Sequence, residues 1–417
     1  MIHLSPATAA RWVTVNVKTV IMSKRQRADK SHAAPTSWRG RSAVVLRNDE
    51  IEVIIVAGGG HIVSLRRIDG PLATVNALWE PPWPTTDPAL RRLKAEGDLE
   101  SMLLAGIGGA NLCCDVFGEH SKGEQAAGLA FHGEAGLTTW EVEEWTESMG
   151  ALVLSAHLRR SQLMIKRTFS LSGSAVAIKE DLTNRCGFER AMGRCQHVTI
   201  GEDFIVGKGA APGPLPGPSL STSVTCHFAC NADRGHTWPV DHDPTGALGS
   251  LWKPDVDFEY PEIPSRGNGT TSGTTMWSNF PNRKWPYNSE LCTLRIDPAE
   301  KWGGFAASRQ SELGELTLGC SWAREDFPWL MTWDENRARK HAPWNGRTLC
   351  RGLEISSYAF ATSRRENVER GKLLGQPTFE WLDANETKTT TWYMSLQLGS
   401  GMQFGPEQRE ARELSRV

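Results

Sequence analysis

From Ser42 onward the chain consists of short runs of aliphatic and β-branched residues, many alternating with polar ones and separated by turn formers. Residues 43–46 and 51–56 flank a polar turn, the pattern of a hairpin. Ala57-Gly58-Gly59-Gly60 then leads into a third run over 61–67. No Gly-Lys-Ser/Thr and no helical period follow those glycines, so they predict a strand–turn–strand and not a phosphate cradle. Similar runs occupy residues 138–142, 151–158, 163–171, 175–182, 315–321, 328–333, 349–356 and 389–398. Only Leu90-Arg91-Arg92-Leu93 and residues 406–416 read as helical, and the Gly/Pro-rich stretches 207–218 and 255–272 read as loops. Many short strands, few short helices and no 20–50-residue repeat predict an all-β fold, a large antiparallel β-sandwich spanning residues 42–400 as one domain.

Charge changes the picture at the ends. Up to Arg41 the chain carries eight basic residues against one acid, Asp29, which predicts a disordered basic arm over 1–41; residues 401–417 read as a polar tail. The whole chain balances 46 Lys and Arg against 48 Asp and Glu, so no polyanion-binding character emerges and no nucleic-acid partner is expected. No run of 18 apolar residues occurs, so no membrane partner is expected, and with no secretory signal the assigned compartment is the cytoplasm. Nine cysteines, an odd number without a Cys-x-x-Cys, suit reduced thiols and not a disulfide framework. Cys226-His227-Phe228-Ala229-Cys230 lacks a second half for zinc, and no metal site is expected. The 17 tryptophans against 4 tyrosines fit a packed core but also suit the CH faces of sugars.

Three segments place an ionisable side chain at a strand edge beside turn residues: Phe131-His132-Gly133-Glu134-Ala135-Gly136, Gln196-His197-Val198-Thr199-Ile200-Gly201 and Arg351-Gly352-Leu353-Glu354-Ile355. Singly, each histidine reads as a core or surface residue and Glu354 as a salt-bridge partner. In order, and with Gly58-Gly59-Gly60-His61-Ile62-Val63-Ser64-Leu65 ahead of them and Phe327-Pro328-Trp329-Leu330-Met331-Thr332-Trp333 before the last, they resemble the aldose 1-epimerase (galactose mutarotase) family. The family's Asn-Arg pair has no counterpart, since Asn111 is not followed by Arg. Its sugar-binding acid has alternative counterparts in Asp241-His242-Asp243 and in residues 255–259.

The resemblance implies a β-sandwich with the sugar on one sheet face. It also implies a reaction that opens and recloses a pyranose with one base and one acid and no cofactor. It assigns Glu354 as base, His197 as acid and His132 as a hydrogen-bond donor to the sugar. The polar run 334–347 reads either as a solvated hairpin loop or as a substrate lid in which Arg337 meets hydroxyls or a carboxylate and an exposed-looking Trp344 stacks on the ring. The expected partner is a small-molecule sugar; nothing in the sequence bears on oligomeric state. Other readings stay open: a carbohydrate-binding protein without turnover on the same scaffold, a polysaccharide lyase using one of four tyrosines, or a metal hydrolase built on His236, Asp241, His242 and Asp243.

Overall fold

The structure, a computed structural model, describes residues 32–91, 99–146, 151–207, 224–239, 251–266, 273–281 and 287–399. Among these, the alternating runs assemble into two large antiparallel sheets. The first has eleven strands in the spatial order His32–Trp38, Arg41–Arg47, Ile51–Val56, His61–Arg67, Ala110–Cys114, Arg194–Gly201, Leu349–Ser356, Trp329–Asn336, Ser289–Ile296, Ala232–Trp238 and Asp257–Glu259. The second has eight: Thr225–Cys230, Trp302–Ser311, Gly314–Ala323, Thr387–Leu398, Ala175–Asn184, Leu163–Ser172, Ala151–Leu158 and Glu141–Thr146. Leu112, Val198, Ile200, Leu353 and Ile355 of the first sheet meet Leu154, Ile165, Ile178, Leu318 and Leu396 of the second in one apolar core.

The order of the first sheet positions the site. Its three middle strands, Ala110–Cys114, Arg194–Gly201 and Leu349–Ser356, are far apart in sequence yet adjacent in space, and the last two are buried at every position. Because side chains alternate across the pleat, these strands carry core residues on one face and a second buried set on the other.

The sandwich begins earlier than expected. His32–Trp38 pairs residue for residue with Arg41–Arg47, so the last ten residues of the arm assigned to 1–41 are hairpin, sealed by burial of Ala33 and Trp38. Residues 1–31 and the 401–417 tail lie outside the described residues, as do most of the 207–218 loop and Asp241-His242-Asp243. The 255–272 stretch is not all loop, for Asp257–Glu259 and Glu262–Ser265 are strands. Arg364–Arg370 is a helix, started by Ser363 accepting from the Glu366 N–H at 3.2 Å. The glycine run is the turn between Ile51–Val56 and His61–Arg67. Among the described residues no helix is long and apolar enough to cross a membrane, and no three His, Cys, Asp or Glu side chains group to hold a metal.

Polar side chains bridge the sheets where the middle strands meet. Glu180 of the second sheet accepts from Arg167 at 2.8 Å, from Arg194 at 3.3 Å and from Gln196 at 3.3 Å; Arg167 also donates to Gln196 at 2.6 Å. Arg194 reaches on to Glu380 at 3.0 Å and Thr390 at 3.1 Å. Burial alone would raise the Glu180 pKa, but the charges of Arg167 and Arg194 and the hydrogen bonds from Arg167 and Gln196 more than offset it and hold it below the usual carboxylate value. Removing that charge takes the counter-ion from the buried Arg167 and leaves Arg194 with Glu380 alone. Glu180→Gln is therefore expected to lose about 3–5 kcal/mol of folding stability, read as a fall in the urea midpoint at unchanged slope.

Candidate active site

The pleat that sends Gln196, Val198 and Ile200 into the sandwich sends Cys195, His197 and Thr199 to the other face of the first sheet. In register His197 stands directly opposite Glu354 on one side and Asn111 on the other. His197 Nε2 lies 3.0 Å from Glu354 Oε1, and its Nδ1 lies 3.1 Å from the Thr199 hydroxyl. Gly352, two residues before Glu354 on the same face, is dictated by the fit of that carboxyl: a Cβ there would stand 2.6 Å from Glu354 Oε1 and 3.3 Å from the Trp333 ring.

His132 arrives from the segment that follows the strand Ala110–Cys114. It has a positive φ of 61°, and Gly133 follows at 80°, where a Cβ would stand 2.2 Å from the Cys114 carbonyl oxygen; the His-Gly pair is thus a backbone requirement as well as a chemical one. The Gly118 N–H donates to His132 Nδ1 at 3.1 Å, so the neutral ring carries its proton on Nε2. The rings of His132 and His197 lie 5.4 Å apart, nearly perpendicular.

His132, His197 and Glu354 line one cavity of about 420 Å³, together with Trp333, Trp344, Trp238, Phe117 and Arg339. Trp344 is buried, not an exposed platform: it stacks on Trp79 at 6.1 Å and meets the edge of Trp83 at 5.0 Å. Arg337 does not line the cavity. Its side chain is buried and ion-paired with Glu202, turned there by a left-handed backbone at φ 57°. Arg339 takes the place expected of it, its guanidinium 4.6 Å from the Trp344 ring centre and 5.0 Å from that of Trp333, paired with Glu335 at 3.5 Å.

Of the acids left open by the sequence, Asp255 lines the cavity, whereas Asp257 bonds His236 at 2.6 Å. Glu366 and Arg370, on the unforeseen helix, also line the cavity and pair with each other at 2.8 Å. The Ser363-x-x-Glu366 spacing, a helix-start pattern, was the signal that could have found them. Nothing in the sequence marks the short helix Leu99–Leu104 and its sequel, which add Leu103, Leu104 and Ile107 to the wall.

Withdrawal from water sets the protonation of the pair. Burial pushes Glu354 up to about 8 and His197 down to about 4, the latter also lowered by the nearby Arg339 charge; burial likewise keeps His132 well below the usual histidine value. Near neutrality the pair therefore holds one transferable proton and no net charge. A consistent arrangement has the Glu354 hydroxyl donating to His197 Nε2 and His197 Nδ1–H donating to Thr199. Such a pair can accept a proton at one atom of a ligand and return one at another.

No family model and no curated protein matches the chain in sequence. Solved structures do match in shape. A Klebsiella pneumoniae protein carrying an aldose 1-epimerase assignment superposes with a TM-score of 0.57 at 10% identity, covering 94% of this chain and 89% of its own. A galactose mutarotase-like protein from Clostridium acetobutylicum gives 0.52 at 13% identity, covering 89% of this chain and 99% of its own. Another galactose mutarotase-like protein, from Lactobacillus casei, gives 0.50 at 12% identity over 85% and 100%. At such identities the likeness speaks for architecture, and the architecture of this chain is the galactose mutarotase-like β-sandwich.

Proposed function

We propose that this protein is an aldose 1-epimerase-like isomerase that interconverts the α and β anomers of a sugar by opening and reclosing its ring. The observation that carries this reading is the His197–Glu354 contact of 3.0 Å within a tryptophan-lined cavity. Mutarotation removes the proton of the anomeric hydroxyl and delivers one to the ring oxygen, then reverses both steps after the aldehyde has turned. Two groups that hold one proton between them are suited to this, since the site ends in a state from which the return can start. Of the pair's two tautomers the reactive one has the shared proton on His197: there Glu354 serves as base and His197 as acid, and His132 donates its Nε2–H to a sugar hydroxyl.

Neighbouring acids are less apt. Asp334 points to the core face and bonds Arg351 at 2.8 Å, while Glu335 accepts from the Ala338 N–H at 2.7 Å and the Arg339 N–H at 3.1 Å. Trp333, half-buried at the cavity, offers an aromatic face to the CH side of a ring.

Glu354→Gln keeps shape but removes the proton acceptor. Sugar binding should persist while anomerisation, followed by polarimetry or NMR with the spontaneous rate subtracted, falls at least about 10²-fold. His197→Asn should act likewise, and His132→Asn should weaken binding and turnover together. Wild-type protein that binds sugar without any rate above background would make this a binding site and not an active one.

The pH profile follows from the two displaced pKa values. Below about 4 the pair takes up a second proton and no base remains; above about 8 it loses its only shared proton and no acid remains. A plot of kcat/KM should therefore be bell-shaped with limbs near these values. Full rate persisting well above the upper limb would show that the pair carries no essential proton.

A further inference from the structure

The acid–base pair sits between walls of different chemistry. On one side Trp238 and Phe360 form a rim that carries Arg370, 5.7 and 4.6 Å from their ring centres, with Glu366 beside it. On the other, Leu103, Leu104 and Ile107 belong to a single apolar cluster with Trp79, Trp83 and Trp344. Indole rings are an ordinary platform for a sugar's CH face. Aliphatic carbons are not: they neither stack nor donate nor accept, and a hydroxyl pressed against them loses its water for nothing.

Among the described residues this wall contributes no polar side chain to the cavity, which at about 420 Å³ has room beyond a single pyranose ring. Its cation is engaged as well, for Arg339 lies over the two indoles and pairs with Glu335. The anomeric hydroxyl must stay free to react, so whatever fills the aliphatic end is attached elsewhere on the ring. Trp333 lies 6.1 Å from His197 and packs against the cluster that holds Leu103, Leu104 and Ile107, so a ring held at the pair beside Trp333 has this aliphatic wall as its neighbour.

We infer that the substrate is a reducing sugar with an apolar group remote from its anomeric carbon, a methyl in place of a hydroxymethyl or an O-acyl chain, seated against Leu103, Leu104 and Ile107. This rests on the mutarotase reading and narrows it to a substrate class.

The test compares anomerisation of hexoses in the gluco and galacto series with that of their 6-deoxy and 6-O-butanoyl counterparts, with galacturonic acid as the charged control. Wild-type protein should favour the apolar sugars in kcat/KM by on the order of tenfold. Leu104→Gln should bring that ratio to about one, whatever it does to the parent rate. Parent hexoses turned over as well as the 6-deoxy sugars would overturn the inference and leave mutarotation standing, and so would a preference for the uronate, which would give the wall's selectivity to Arg339. If no sugar is accelerated at all, mutarotation itself fails. Calorimetric affinities of the same panel on Glu354→Gln then decide the apolar preference separately: tighter binding of the 6-deoxy sugars supports it, and equal binding removes it.

Discussion

The strand Arg194–Gly201 is buried on both faces, and each face imposes its own electrostatic condition. Toward the second sheet, Arg194 pairs with the fully buried Glu180 and Gln196 donates to it; toward the cavity, His197 faces Glu354 with no counter-charge in hydrogen-bond contact among the described residues. A buried carboxylate persists as an ion only where paired, and an unpaired one keeps its proton. The same protein thus holds two buried glutamates in opposite states. Glu180 is held ionised by two arginines and serves to lock the sheets, whereas Glu354 is driven toward neutrality and becomes a proton carrier.

The lock and the proton carrier are coupled by the backbone between them. His197 cannot shift along its strand without dragging Gln196 out of reach of Glu180 and Arg167. His132 is fixed independently, by the Gly118 N–H on its ring and by its own N–H on the Gly118 carbonyl at 3.1 Å. The cavity walls, by contrast, come mostly from connecting segments and short helices that take no part in the inter-sheet network.

Much of this was legible in the sequence because it depends on period-two alternation and on motif order. The run at 151–158 reappears with the same ends and those at 163–171 and 389–398 with one end moved by a residue or two, and His132, His197 and Glu354 stood out as ionisable groups beside turn residues. The limits have physical causes. The pattern of His32–Trp38 is masked by the basic residues around it, and only pairing with Arg41–Arg47 makes it a strand. Arg337 and Arg339 are two residues apart in a polar run, and one left-handed backbone angle decides which of them reaches the cavity. Trp344 looked exposed because its neighbours are polar, while the residues that bury it, Trp79 and Trp83, lie more than 250 positions away. Such contacts are long-range, and no local reading of propensity contains them.

The direct opposition of His197 and Glu354 also bears on how such a chain can change over generations. Substitution leaves a pleat intact, but inserting or deleting one residue within either strand turns every later side chain to the opposite face. A slip in Arg194–Gly201 would put the imidazole among the leucines and valines of the sandwich and leave Glu180 short of a partner. Length is therefore the heritable constraint on these two strands, and residue identity is the looser one. The connecting segments live under the reverse rule, free to lengthen, shorten and re-aim the walls. A lineage under those two rules drifts far in spelling while keeping its spacing where the proton moves.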